Sequence, residues 1–200
     1  MSFTRQFVGR HNFVHTYYAI FAVFALKKLW KTYYYASAYD LSNFSILETS
    51  QKDCSYYDLL SAYCYSVNNL KIFIGGINET REDKLRIISD SDIVKKYLHV
   101  CVRTFPRNCN ICFKCRRTIL ELDMINRLNE FRDVFDIDYY KKNKLFYLRH
   151  LVIKSENYFN KPIYEYFLNK EPELIAKVKQ DIIKNKKYAR ASALPNIKSN

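Results

Sequence analysis

Four of the six cysteines in this 200-residue chain fall within fifteen positions, in the stretch Cys101 to Cys115, CVRTFPRNCNICFKC. Three keep a strict two-residue spacing, Cys109-x2-Cys112-x2-Cys115. Two residues between thiolates let both sulfurs of a turn face one point, and a sulfur from the preceding segment completes a tetrahedron around zinc. Cys101 is the natural fourth ligand. Arg103, Arg107, Lys114, Arg116 and Arg117 surround the thiolates with positive charge and favour their ionised form, and no acidic residue interrupts the run.

Other uses of such a block fit less well. A redox pair needs two sulfurs and leaves the other two without a role. An iron–sulfur cluster takes the same soft ligands, yet the common bacterial run continues from its third cysteine into Cys-Pro, whereas Arg116 and Arg117 follow Cys115. Unliganded thiols pack as small hydrophobes, and the regular spacing argues against four doing so together. Zinc is favoured, with the redox pair and the cluster as alternatives.

With 48% hydrophobic and 16% aromatic content the chain can bury a substantial core, and disorder is excluded for most of it. The formal charge of +13 invites a nucleic-acid role, but its distribution weakens that. From Lys177 to Asn200 stand seven basic residues against one acidic, and the cysteine segment carries five more. Four thiolates and one Zn2+ together add a charge of about −2, which offsets much of that local surplus. What remains is a mildly basic body with a solvated basic tail.

In chain order, Arg5, Arg10, His11 and His15 precede an apolar run from Tyr17 to Leu26 that, at ten residues, is too short for a bilayer, where about twenty are needed. A signal peptide is argued against by Lys27, Lys28, Trp30 and Lys31, which stand between that run and Ala36-Ser37-Ala38. The pattern predicts a mostly buried helix over 16–31 and a strand over 33–36. His11 and His15 are spaced to ligate together, but no neighbouring carboxylate or third histidine supports them, so they read as surface residues before a helix. Short helical pieces are expected over 40–69, with Cys54 and Cys64 as inert packing residues in a reducing interior. Leu70 to Ile74 reads as a strand ended by Gly75-Gly76, then a helix from Arg81 capped by Thr80, then a strand delivering Cys101. That order makes an α/β crossover.

Beyond the cysteines, Ile119, Leu120, Leu122, Ile125 and Leu128 predict a helix over 116–128. A helix starting near Cys112 or Cys115 aims its first amides at the thiolates. Asp133, Asp136 and Asp138 read as a solvated helix end, since the glycine and closing glutamate of a calcium loop are absent. From Tyr139 the chain is helical and basic, broken near Pro162, Pro172 and Pro195. An amphipathic helix from Glu173 to Lys187 turns Leu174, Ile175, Val178, Ile182 and Ile183 to its apolar side.

The cysteine block resembles the C-terminal zinc site of 7-cyano-7-deazaguanine synthases, which carry Cys-x8-Cys-x2-Cys-x2-Cys. It is more similar still to uncharacterised relatives of those enzymes in bacterial surface-polysaccharide loci. There a tyrosine-rich strand precedes the site and Cys-x-Arg-Thr follows it, as Tyr33-Tyr34-Tyr35 and Cys115-Arg116-Arg117-Thr118 do here. The resemblance covers roughly Phe13 to Tyr140, and the first gap is seven residues rather than eight.

It implies an α/β fold with a partial parallel sheet, flanking helices and a structural four-cysteine zinc turn over residues 1–140, followed by a basic helical extension and tail over 141–200. It also implies a cytoplasmic protein. Members of that adenine-nucleotide hydrolase superfamily bind ATP through a Ser-Gly-Gly-x-Asp-Ser loop. The nearest string here, Ile74-Gly75-Gly76-Ile77-Asn78-Glu79, lacks both serines and the aspartate and sets Glu79 where phosphate needs a donor. The resemblance therefore implies the C-terminal half of an ATP pyrophosphatase, inactive alone, without catalytic residues of its own. A partner polypeptide would supply the nucleotide loop for adenylation of a carboxylate or amide. The alternative is a small zinc-stapled module binding nucleic acid or an anionic polymer through its basic surface.

Overall fold

The computed structural model describes residues 11–44 and 53–185. Arg5, Arg10 and the basic tail from Lys186 onward, with Pro195, lie outside the described residues, as does the far end of the predicted 173–187 helix. The chain divides into two compact units, the first ending at Lys84 and the second beginning at Leu85. Among the described residues no helix is long and apolar enough to cross a membrane.

In the first unit, helix α1 (His11–Ala25) buries Thr16, Ile20 and Val23, spaced as one helical stripe. Phe21 on another side is 73% exposed, so α1 is amphipathic rather than mostly buried. It also stops at Ala25, with Lys27 and Lys28 solvated in the turn that follows.

Strands β1 (Thr32–Ala36) and β2 (Lys71–Gly75) pair in parallel, Thr32 opposite Lys71 and Ala36 opposite Gly75. Parallel neighbours need a crossover, supplied here by 3-10 turns at Leu41–Asn43 and Cys54–Tyr57 and by helix α2 (Asp58–Tyr65). The core of this unit is Ile20, Val23, Ala62, Leu70 and Ile72. Cys54 is buried, whereas Cys64, predicted to pack inside, is exposed.

The α/β character is thus a small two-stranded parallel sheet in a mostly helical chain. The crossover joins β1 to β2 rather than β2 to a later strand. The strand predicted to deliver Cys101 is not formed: among the described residues the sheet holds β1 and β2.

Helix α3 (Arg81–Ile88) starts where predicted. Thr80 Oγ1 accepts from the Asp83 N–H at 3.2 Å, and the Asp83 carboxylate accepts from the Thr80 N–H at 3.2 Å. This reciprocal pair satisfies two helix-end donors at once.

The second unit carries helices α4 (Asp92–Tyr97), α5 (Phe113–Met124), α6 (Ile137–Lys142), α7 (Lys144–Ile153), α8 (Lys161–Lys170) and α9 (Pro172–Lys184), with a 3-10 turn at Leu128–Phe131. Helix α5 buries Cys115, Thr118, Ile119, Leu120, Leu122 and Met124, nearly its whole circumference, as a central helix must. Helices α7 and α8 pack on it, and α9 packs on α7 and α8.

Pro162 and Pro172 occupy the first turns of α8 and α9, so they begin helices rather than interrupt one. Asp136 likewise caps the start of α6, accepting from the Tyr139 N–H at 2.8 Å, and so opens a helix instead of closing one. On α9, Ile175 and Val178 are fully buried, but Ile183 is 73% exposed and lies off the packed face.

His150 on α7 is half-buried, and burial, with Arg116, Lys154 and Arg117 nearby, pushes its imidazole down to about 4. A histidine held neutral in the fold stabilises it above the ordinary value near 6.5, and that stability is lost as pH falls towards 4. Discounted for the water that still reaches the ring, the effect is about 1–2 kcal/mol. His150→Gln is expected to flatten the pH dependence of the melting temperature between pH 6.5 and 4 relative to the unsubstituted chain; parallel profiles would contradict it.

Candidate metal centre

The four block cysteines converge. One sulfur from each of Cys101, Cys109, Cys112 and Cys115 lies within 4.8 Å of all the others. The sulfurs of Cys112 and Cys115 are 3.4 Å apart, and those of Cys112 and Cys101 are 4.0 Å apart. Zinc–sulfur bonds of about 2.3 Å in a tetrahedron set sulfurs about 3.8 Å apart, so small adjustments close the thiols on one ion.

The convergence follows from the local chain. The Cys112 N–H donates to Cys109 Sγ at 3.3 Å, and the Cys115 N–H donates to Cys112 Sγ at 3.5 Å. Each two-residue spacing thereby folds into a turn whose amide points at the preceding sulfur. Cys112 is the N-cap of α5, which starts one turn earlier than the apolar pattern alone predicts. Asn110 takes the left-handed conformation between these turns, at φ 62°, which asparagine tolerates better than most residues. Cys101 Sγ accepts from the Arg103 and Thr104 N–H groups, each at 3.3 Å.

Asn108 takes the place of the missing strand. Its Oδ1 accepts from the Val100 and Cys101 N–H groups at 3.0 and 3.1 Å. Its Nδ2 donates to the Leu98 and Val134 carbonyls at 2.8 and 3.1 Å. One buried amide so supplies four hydrogen bonds that fix the segment carrying Cys101 beside the turn carrying Cys109. Sequence reasoning passed over it; its signal was a lone asparagine immediately before the first cysteine of the paired turns.

Electrostatics also favours a cation. The hydrogen bond shared by the Cys112 and Cys115 sulfurs, 3.4 Å apart, holds Cys112 down to about 4 against its burial and raises Cys115. Burial also raises Cys109, while at Cys101 it is outweighed by hydrogen bonds from Thr104 and Arg103, which bring that thiol down to about 6. Neighbouring anions oppose one another's ionisation. A divalent ion removes that conflict.

Of the five basic residues in the block, Arg103, Arg107 and Lys114 are exposed and Arg116 and Arg117 are half-buried. The Arg116 guanidinium lies 4.9 Å from the centre of the Phe146 ring, and that of Arg117 lies 4.8 Å from the Phe159 ring.

A second group of ligand-type side chains lies in the first unit. His15 Nε2 stands 3.1 Å from Asp53 Oδ1, and Cys54 completes a trio whose ligand atoms lie within 4.8 Å of one another. His15 therefore does have a carboxylate beside it, contrary to the sequence expectation, because the crossover brings back a residue 38 positions away. His11 stacks on the His15 ring with centroids 4.9 Å apart.

Comparison with protein-family models, with curated proteins and with solved structures finds no match to this chain. What the coordinates define is a mixed α/β chain, mostly helical, with a four-thiol cluster at the start of its central helix.

Asn108→Ala leaves two amide donors and two carbonyls near the thiols without their partner. The expected cost is about 2–4 kcal/mol of unfolding free energy, with faster loss of bound metal to a chelator. Chemical denaturation and chelator kinetics check both, and unchanged values would remove Asn108 from the site's support.

Proposed function

We propose that this chain is a zinc protein in which Cys101, Cys109, Cys112 and Cys115 hold one structural Zn2+. The observation that carries this is the convergence of four sulfurs, three of which, Cys101, Cys109 and Cys112, are already met by backbone amides. Four thiolates fill a tetrahedral ion's coordination and leave no position for water or substrate, which marks a structural rather than a catalytic site. Zinc there orders the entry to α5, stapling the Cys101 segment and the turn at 109–112 to the core of the second unit.

We further propose, on the resemblance to 7-cyano-7-deazaguanine synthases and their surface-polysaccharide relatives, that the protein acts as a zinc-bearing ATP-pyrophosphatase-like subunit without its own nucleotide loop. On this view a partner polypeptide supplies the loop. The tyrosine-rich strand β1 in a parallel pair is compatible with it. The Gly75-Gly76 turn favours a structural role over phosphate binding: Gly76 has φ +69°, and a Cβ there would meet the Lys84 stem at 3.0 Å. Lys84 Nζ in turn donates to the Ser37 carbonyl at 3.0 Å. The turn is packed by the protein's own side chain instead of opening its amides to an anion.

Metal analysis is expected to give one zinc per chain in the four-cysteine site, and Cys112→Ser is expected to lose it with a cost of several kcal/mol. Cys64→Ser, at an exposed site, is expected to change stability by less than about 0.5 kcal/mol. Iron with a visible charge-transfer band would overturn the zinc assignment.

The isolated chain is expected neither to bind ATP tightly at physiological salt nor to release pyrophosphate from it. Calorimetry and a pyrophosphate assay check this. Micromolar binding, or magnesium-dependent release abolished by Gly76→Ala, would make the chain a complete enzyme. Strongly salt-dependent binding to random duplex DNA would favour a nucleic-acid module instead.

A further inference from the structure

The turn at Cys54–Tyr57 meets the start of α1 in a polar cluster that packing alone does not require. His15 Nε2 stands 3.1 Å from both Asp53 Oδ1 and Ser55 Oγ. Without an ion Nε2–H donates to the Asp53 carboxylate; moving the proton to Nδ1, where Thr16 Oγ1 lies at 3.5 Å, would free the Nε2 lone pair for a cation set between them. Cys54 Sγ, buried beside it, already accepts the Thr16 N–H at 3.4 Å. The Thr16 hydroxyl donates to Asp58 Oδ1 at 2.8 Å. A nitrogen, an oxygen and a sulfur thus converge, each braced by an outer partner as metal ligands are.

Asp58 adjoins the trio without belonging to it. Asp58 is 2% exposed and takes hydrogen bonds from the Thr16 hydroxyl and the Ala38 backbone. It borders, together with Ser55 and Ser37, a cavity of about 10 Å3, close to what a single water needs.

We propose that His15, Asp53 and Cys54 form a second divalent-metal site, suited to Zn2+, with three protein ligands and a fourth position left to water. The thiolate and imidazole select a borderline-soft ion over magnesium or calcium. Three ligands leave the open position typical of sites that activate water. The His15 and Asp53 side chains keep 20% and 24% of their surface exposed, so solvent reaches that position. On binding, Cys54 gives its proton to solvent and its sulfur to the ion, while the Thr16 N–H already directed at that sulfur stays in place.

The test is cobalt added to the full chain already carrying one zinc. A second equivalent is expected to bind and give a sulfur-to-cobalt charge-transfer band of about one quarter the intensity of a four-thiolate site, reversed by added zinc. Cys54→Ser is expected to abolish that band, His15→Ala and Asp53→Asn to weaken the second equivalent at least tenfold, and Cys64→Ser to leave it intact. Absence of a second equivalent, or one whose spectrum lacks the thiolate band, overturns the proposal on the unsubstituted protein alone, whether or not the variants fold. Binding unchanged in Cys54→Ser would mean adventitious surface coordination, which also overturns it. Cys112→Ser separates the two sites: it is expected to remove the first metal while the one-thiolate band remains.

Discussion

The second unit is built around four sulfurs that cluster within metal-binding distance and are at the same time part of the packed interior. Cys115 is fully buried and Cys112 is 2% exposed, both within the same apolar cluster as Ile119, Leu122, Phe131 and Leu148. Cys101 and Cys109 pack against its edge. An ion bound there could not be lost without disturbing the first turn of α5, on which α7 and α8 rest. Structural zinc contributes on the order of 10 kcal/mol in small domains, comparable with the whole stability of a typical fold. Metal retention and folding of this unit would then be one equilibrium.

What was legible in the sequence was local. The two-residue cysteine spacing forecast two amide-to-sulfur turns, the tyrosine run forecast β1, and Thr80 forecast the start of α3. These features depend on neighbours within four residues, which periodicity and capping rules address directly. The prolines and Asp136 were seen but given the wrong direction, since a residue that stops one helix equally starts the next.

The parts that were not legible depend on distant partners. The apolar residues around Val100 suggested a strand because an extended segment needs its amides satisfied, and a neighbouring strand is the common solution. Here one asparagine side chain offers the same two-acceptor, two-donor pattern from eight positions away and also reaches Val134. Nothing in the spacing of apolar residues distinguishes these solutions, because both bury the same side chains. The pairing of His15 with Asp53 was hidden for a similar reason: it exists only once β1 and β2 align and the crossover returns to α1.

The charges around α5 show why so basic a chain tolerates cations in a packed region. Arg116 is half-buried against Phe146, and burial pushes its guanidinium down, yet the Cys112 thiolate pulls the other way. A zinc bound by four thiolates carries a net charge of about −2, so an adjacent guanidinium is compensated rather than stranded. His150 has no such anion among the influences on it; it faces Arg116, Arg117 and Lys154 and stays neutral. One position beside the cysteines is therefore fit for a permanent cation, and the next one inward is fit for a ring that gives up its proton. Reversing them, with histidine at 116 and arginine at 150, would set an always-charged group in a buried position already crowded with positive charge, and burial together with like charge would oppose it. The order Cys115-Arg116-Arg117 is thus part of the four-thiol cluster's electrostatics as well as of its sequence signature.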